Sequence, residues 1–102
     1  MKSKYHLVLV LAAGLLAACQ PREESLQELA DRVFGLARTQ LALLDTELQE
    51  GPCPRSFQDG VLITSDIGWW CSGFYPGSLW LTWEHTGDAS MKQLALKHTE
   101  PL

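Results

Sequence analysis

The tryptophan-rich stretch from Trp69 to Asp88 is the part of this sequence best equipped to contact a ligand. It contains all four tryptophans of the chain, together with Phe74 and Tyr75. Tryptophan and tyrosine combine a flat apolar face with a polar tip, so they stack well on ligands that carry hydroxyl groups. The stretch therefore predicts a binding surface for a hydroxylated ligand.

The sequence does not contain a recognisable pattern of catalytic or metal-binding residues. Ser72 has no histidine and acid at triad-like positions, so a serine nucleophile is not supported. The possible ligands Cys53, Cys71, His85 and His98 lack the close-paired spacing of a structural zinc site. We predict no catalytic residue, no metal and no cofactor in this chain, and we place His85 near a helix end at the surface.

The aromatic stretch resembles the N-terminal signature of the unsaturated glucuronyl hydrolases, glycoside hydrolase family 88. Two departures stand out: Trp69 replaces an aspartate of the family pattern, and Cys71 replaces a threonine. The positions that agree in register are Trp70, Gly73, Phe74, Pro76, Gly77, Leu79, Trp80, Glu84, Thr86, Gly87 and Asp88.

This resemblance implies an all-α fold, with about three helices forming the N-terminal part of an (α/α)6 toroid. It implies an enzyme that removes 4,5-unsaturated uronic acid from oligosaccharides released by polysaccharide lyases. The family's catalytic aspartates lie beyond its Thr-Gly-Asp segment, so we expect this chain to be an N-terminal fragment that is inactive by itself. Trp70 aligns with a substrate-pocket tryptophan, and it serves either as a wall for the sugar ring or as core packing. Trp80 and Trp83 are expected in the core.

The N-terminus has the features of a bacterial lipoprotein signal peptide. Lys2 and Lys4 precede an apolar run that is too short to span a bilayer, and Cys19 directly follows a pair of alanines. We predict a signal peptide at 1–18, lipidation of Cys19, a tether to residue 24 and a fragment of the hydrolase-like domain at 25–102. The alternative is an ordinary signal peptide with a chance cysteine.

The charge of the chain restricts the kinds of partner that it can bind, and its cysteines bear on a possible disulfide. Without Lys2 and Lys4, six basic side chains face twelve acidic ones, which argues against a nucleic-acid partner. The partners we expect are a uronic-acid-containing oligosaccharide and, through the lipid, the membrane of the bacterial cell envelope. In an oxidising compartment, Cys53 and Cys71 either form a disulfide or remain two buried thiols.

The hydrophobic pattern predicts three helices. The first spans about 26–50 with a capping box at Ser25 and Glu28. A loop covers 51–72, with one short strand at 61–64. The second helix, about 76–86, is apolar nearly all round and ends at Gly87, and the third spans 90–99 with Met91, Leu94 and Ala95 on one face.

Two functions follow from these observations. The first is a fragment of a lipid-anchored glycosidase. The alternative is a small envelope lipoprotein that acts as a binding or interaction module, which includes sugar binding through Trp69, Trp70 and Tyr75. The all-round apolar helix favours the fragment, because one partner helix cannot cover it on every side.

Overall fold

The structure is a computed structural model that describes residues 22–48 and 53–102, together with Tyr5. Cys19 and most of the predicted signal peptide lie outside the described residues, as do residues 49–52, where the first helix is predicted to end. Three helices and two strands follow in the order α1 (Leu26–Glu47), β1 (Cys53–Gln58), β2 (Val61–Ser65), α2 (Phe74–Thr86) and α3 (Ala89–Thr99).

Helix α1 begins at the predicted capping box. The Ser25 side chain accepts a hydrogen bond from the Glu28 backbone N–H, and the Glu28 carboxylate accepts one from the Ser25 N–H. Two of the free N–H groups at the helix start are thereby satisfied. The helix ends at Glu47 rather than near residue 50, because Leu48 adopts an extended backbone and is buried in the core.

Strands β1 and β2 form an antiparallel hairpin, so the expected all-α part of an (α/α)6 toroid is wrong as a fold class. The hairpin turns at Asp59 and Gly60, which both have positive φ, 50° and 78°. This backbone twist matches the right-handed twist of the paired strands, and Asp-Gly is among the residue pairs that adopt it most readily. Half of the expected loop at 51–72 is therefore strand.

Helices α2 and α3 form an antiparallel pair joined by a tight turn. Gly87 ends α2 in the left-handed conformation (φ 69°), as its position predicts, and its N–H donates to the Trp83 carbonyl over 2.7 Å. Asp88 then caps α3 by accepting a hydrogen bond from the Ser90 N–H. Helix α2 starts two residues earlier than predicted, at Phe74.

The core lies where α2 and α3 meet the C-terminal half of α1. Leu79 and Ala95 are completely buried and Met91 almost so, which confirms the face predicted for α3. The buried members of this cluster are Leu48, Tyr75, Leu79, Met91 and Ala95, and Leu41, Ala42, Leu44, Leu62, Trp80, Trp83 and Leu94 pack against them. Among the described residues, no helix is both long and apolar enough to cross a membrane.

Candidate functional site

The exposed aromatic residues gather between the hairpin and the start of α2. The Trp70 side chain is 84% exposed and meets the Trp69 and Phe74 rings edge to face, each at 6.3 Å between ring centroids. An indole exposed to this degree is not a core residue of the described chain. The assignment of Trp70 as a wall for a sugar ring stays a prediction.

A turn positions these rings. Asp66 accepts a hydrogen bond from the Gly68 N–H at 2.8 Å through its side chain, and its carbonyl accepts one from the Trp69 N–H. The Cys71 carbonyl then accepts from the Phe74 N–H, which leads directly into α2. This succession of short turns leaves Trp70 at the outside of the bend, because its neighbours supply the hydrogen bonds that close it.

Arg55 adds a cation to the aromatic group. In the hairpin Pro54 pairs with Thr64 and Ser56 pairs with Ile63. Arg55 is therefore an extra residue that pairs with no residue of β2. Such a β-bulge redirects a side chain relative to regular strand geometry. The Arg55 guanidinium carbon lies 5.7 Å from the centre of the Trp69 ring, within the range of a cation–π contact. We call Arg55, Trp69, Trp70 and Phe74 the aromatic patch.

A groove of about 310 Å³ adjoins the aromatic patch. The hairpin and helices α1 and α2 form its walls, and Phe74 and Arg55 belong to both the groove and the patch. Its lining residues are Leu41, Leu44, Pro54, Arg55, Ser56, Phe57, Leu62, Phe74, Tyr75 and Ser78. The groove is mostly apolar and offers a few hydroxyl groups and one cation, the composition of a site for a small ligand.

Tyr75 is fixed at the inner wall of the groove. Its hydroxyl donates a hydrogen bond to the Leu41 carbonyl over 3.1 Å, and its ring meets that of His98 edge to face. Burial, with a smaller contribution from the charge of Asp45, raises the pKa of the Tyr75 hydroxyl well above its usual range. The hydroxyl is therefore a neutral anchor between α1 and α2, and it is not available as a general base.

The other two tryptophans sit apart from the patch, on the side of α2 that faces α3. Trp80 is half-buried and its indole N–H donates to the Thr99 hydroxyl over 2.9 Å. Trp83 packs edge to face against Trp80 and lies under the Lys92 ammonium at 4.8 Å. Both contribute to packing, in line with the sequence prediction for them.

The carboxylates near the tryptophan-rich stretch have local structural partners or face solvent. Asp59 forms the hairpin turn, Asp66 closes the turn before Trp69, Asp88 caps α3, and Glu84 is exposed. Two hydrogen bonds from Ser90 are the largest causes of the lowered pKa of the Asp88 carboxyl. No pair of carboxylates faces the groove among its lining residues. Across residues 22–48 and 53–102, no cluster of His, Cys, Asp or Glu is grouped to hold a metal ion.

The structure also shows the positions of Cys53, Cys71 and His85. Cys53 is half-buried at the start of β1, Cys71 is buried, and both are free thiols in the structure. Burial, followed by the charge of Asp66, raises the pKa of the Cys53 thiol. The Cys53–Cys71 disulfide stays a prediction. His85 is an exposed residue in the last turn of α2, as predicted, and it stacks on Phe34 at 4.3 Å and contacts the Asp31 carboxylate at 2.9 Å.

Comparisons of this chain with protein-family models, with curated proteins and with solved structures give no match.

Proposed function

We propose that this chain is the sugar-contacting N-terminal part of a lipid-anchored envelope glycosidase that resembles the unsaturated glucuronyl hydrolases. One observation carries the proposal. Trp70, the residue that the resemblance aligns with a substrate-pocket tryptophan, is almost fully exposed beside a second indole and a cation. The ligand class is an oligosaccharide that ends in an unsaturated uronic acid.

The chemistry of the aromatic patch suits that ligand. Indole faces stack on the apolar C–H face of a sugar ring, while the ring hydroxyls remain free to bond to water or protein. The Arg55 guanidinium is planar and permanently charged, and it pairs with a carboxylate through two parallel hydrogen bonds. A uronic acid offers both the ring face and the carboxylate.

Hydrolysis is not part of the proposal for this chain alone. Protonation and hydration of the vinyl ether require carboxyl groups in the roles of acid and base. Asp59, Asp66 and Asp88 serve turns and a helix cap. We therefore expect binding without turnover, and we expect the acids to come from polypeptide outside this sequence.

Calorimetric titration of the full lipoprotein in detergent tests the binding. The ligand is an unsaturated uronic acid disaccharide from a lyase digest, and a neutral disaccharide is the negative control. Trp70→Ala removes the stacking surface, and we expect it to weaken binding about tenfold, by analogy with the roughly 1–3 kcal/mol that stacking of a nucleic-acid base on one aromatic ring contributes. Trp70→Phe should retain most of the affinity.

Arg55→Gln provides the second arm of that experiment, with Arg22→Gln as the matched control at an exposed arginine far from the patch. We expect only Arg55→Gln to lower the preference for the acidic over the neutral disaccharide. Equal binding by wild type and Trp70→Ala would overturn the proposal.

A small envelope lipoprotein that acts as an interaction module is the second candidate. The observation in its favour is the large apolar area on α1 and α2 that the described chain leaves exposed, including Leu36, Leu43 and Leu81. Exposed apolar patches of this kind mark interaction surfaces.

An immunoblot of the membrane fraction separates the two candidates. The antibody is raised against residues 23–50, and the cells are those that carry the gene. A band much heavier than 11.4 kDa supports the glycosidase part. A band at that mass or slightly below it supports the small lipoprotein and contradicts the first candidate.

A further inference from the structure

Helix α1 has a second apolar stripe that does not face the core. Its members are separated by alternating steps of three and four residues, the spacing of the two inner positions of a coiled-coil heptad. Every one of them is exposed, from Leu26 at 81% to Leu29 at 38%. The stripe consists of Leu26, Leu29, Val33, Leu36, Gln40 and Leu43.

The stripe is distinct from the face of α1 that packs on the rest of the protein. That other face carries the partly buried Leu41 and Leu44, with Phe34 stacked on His85. On a helix with 3.6 residues per turn, the centres of the two faces lie roughly a third of a turn apart. No residue of α1 itself is fully buried, so the helix has far more apolar surface than α2 and α3 cover.

Three charged residues of α1 point away from the stripe, and Glu47, at the next inner position after Leu43, marks its C-terminal end. Asp31 contacts His85, Arg38 contacts Asp88, and Asp45 contacts Lys97, so these three side chains point to α2 and α3. Between Leu26 and Leu43 the stripe itself contains no charged residue. Two copies of it can therefore meet without burying a charge.

We propose that the stripe is a dimer interface, and that its occupant is the α1 stripe of a second copy of this chain in parallel orientation. In that arrangement each apolar residue meets its own counterpart, which is the self-complementary contact of a two-fold interface. Gln40 meets Gln40 of the second copy, and its side-chain amide can donate and accept at once. A single polar pair at such a position fixes register and parallel alignment.

The orientation also rests on the lipidation of Cys19, which belongs to the proposed function. Residues 20–25 separate Cys19 from the first residue of α1, so the helix starts within about 25 Å of the lipid. Two copies anchored in one membrane surface present their helices in the same direction. Anchoring also raises their effective concentration, so that a helix seam of modest length suffices for pairing.

A groove lies beside the stripe. This groove of about 320 Å³ runs between α1 and α2 and is lined by Phe34, Ala37, Gln40, Leu41, Ser78, Leu81 and Thr82. Gln40 belongs to both the stripe and the groove, Ala37 borders the stripe, and Leu81 is exposed on the α2 side. A second α1 helix seated on the stripe would cover part of this groove as well.

Cysteine crosslinking in the native membrane tests the dimer and its orientation. Leu36→Cys is introduced into the full chain, and the membrane fraction is treated with a mild oxidant and run without reductant. A parallel dimer in register brings the two introduced thiols together, so most of the protein should shift to twice the monomer mass. Gln93→Cys, on an exposed position of α3, reports random collision, and the unmodified chain reports crosslinking through Cys53 and Cys71.

A charge variant completes the test. Leu36→Glu places two like charges in the seam, so sedimentation of the detergent-solubilised chain should change from dimer to monomer, with unchanged helical circular dichroism. Crosslinking of Leu36→Cys in the membrane at the level of Gln93→Cys would overturn the dimer. Disaccharide binding by Leu36→Glu reads out the aromatic patch separately, so a failure of the dimer and a failure of sugar binding are distinguishable.

Discussion

Helix α1 and the α2–α3 pair are held in place by different means. Between α2 and α3, Leu79, Met91 and Ala95 are excluded from solvent, and the Gly87–Asp88 turn fixes the angle between the helices. Helix α1 is the longest element described, yet none of its residues is buried. It is attached to α2 and α3 through partly buried leucines, through the hydrogen bond from Tyr75 to Leu41, and through contacts of three charged side chains, Asp31, Arg38 and Asp45.

The difference predicts that α1 detaches before α2 and α3 separate. An exposed ion pair contributes about 0–1 kcal/mol, whereas a fully buried leucine contributes about 1.5–3 kcal/mol. Local openings of a protein follow this kind of gradient in contact density. The same weak attachment leaves the apolar stripe of α1 accessible to a second copy of the chain.

The largest effect is expected from Leu79→Ala. Leu79 has no exposed surface at the centre of the core, so its truncation removes apolar contacts and leaves a cavity. We expect a loss of about 2–5 kcal/mol in the free energy of unfolding. Denaturant titration followed by circular dichroism measures it, and Leu81→Ala, two residues away and 57% exposed, is the matched control. Equal losses from the two variants would contradict the assignment of the core.

Acidic pH should loosen α1 selectively. Burial acts on Asp45 in the opposite direction, but the hydrogen bonds from His98 at 2.6 Å and from Lys97 at 3.0 Å hold the pKa of its carboxyl below the usual range. A carboxyl with a lowered folded-state pKa stabilises the fold above its unfolded-state value of about 4. That stabilisation is lost as the pH falls through the folded-state pKa.

Asp45→Asn tests this contribution. At neutral pH we expect a loss of about 1–2 kcal/mol, because charge-assisted hydrogen bonds are replaced by neutral ones. Hydrogen exchange of the α1 amides, measured at pH 7 and pH 3, should show a smaller pH effect in the variant than in wild type. The variant should keep a smaller pH effect of the same sign, because Asp31 remains. Its pKa is also lowered, chiefly by the hydrogen bond from His85. Glu84→Gln, at an exposed position of α2, should leave the exchange unchanged.

The helices of this fold could be predicted from sequence because their signals are local. The capping box at Ser25 and Glu28, the apolar face of α3 and the glycine at position 87 each act within a few residues of the chain. The strand predicted at 61–64 is confirmed as β2, but β1 was missed because it shows no alternation: its first two residues are half-buried and the next four are exposed. The Asp59-Gly60 pair was the available signal for a two-residue turn.

The candidate site, like the fold, could be predicted only in part from the sequence. The density of tryptophans singled out the stretch from Trp69 to Asp88, and the family resemblance singled out Trp70 within it. The exposure of Trp70 is consistent with a contact role. Arg55 could not be assigned, because its place beside Trp69 depends on a bulge in a strand that the sequence pattern does not reveal. A bulge is a difference in register between two strands, and single-strand periodicity carries no information about it.

The smallest effect, from Ser25→Ala, is also the sharpest test of the comparison between α1 and the α2–α3 pair. Removing the cap leaves the Glu28 N–H without its acceptor and should cost about 1 kcal/mol. If α1 opens on its own, hydrogen exchange should accelerate in the first turns of α1 and remain unchanged in α2 and α3. Ser25→Asp, which keeps an acceptor at the cap, should restore the protection. Uniform acceleration across all three helices would mean that they unfold as one cooperative unit, because only then does a local loss at residue 25 appear at Leu79 and Met91.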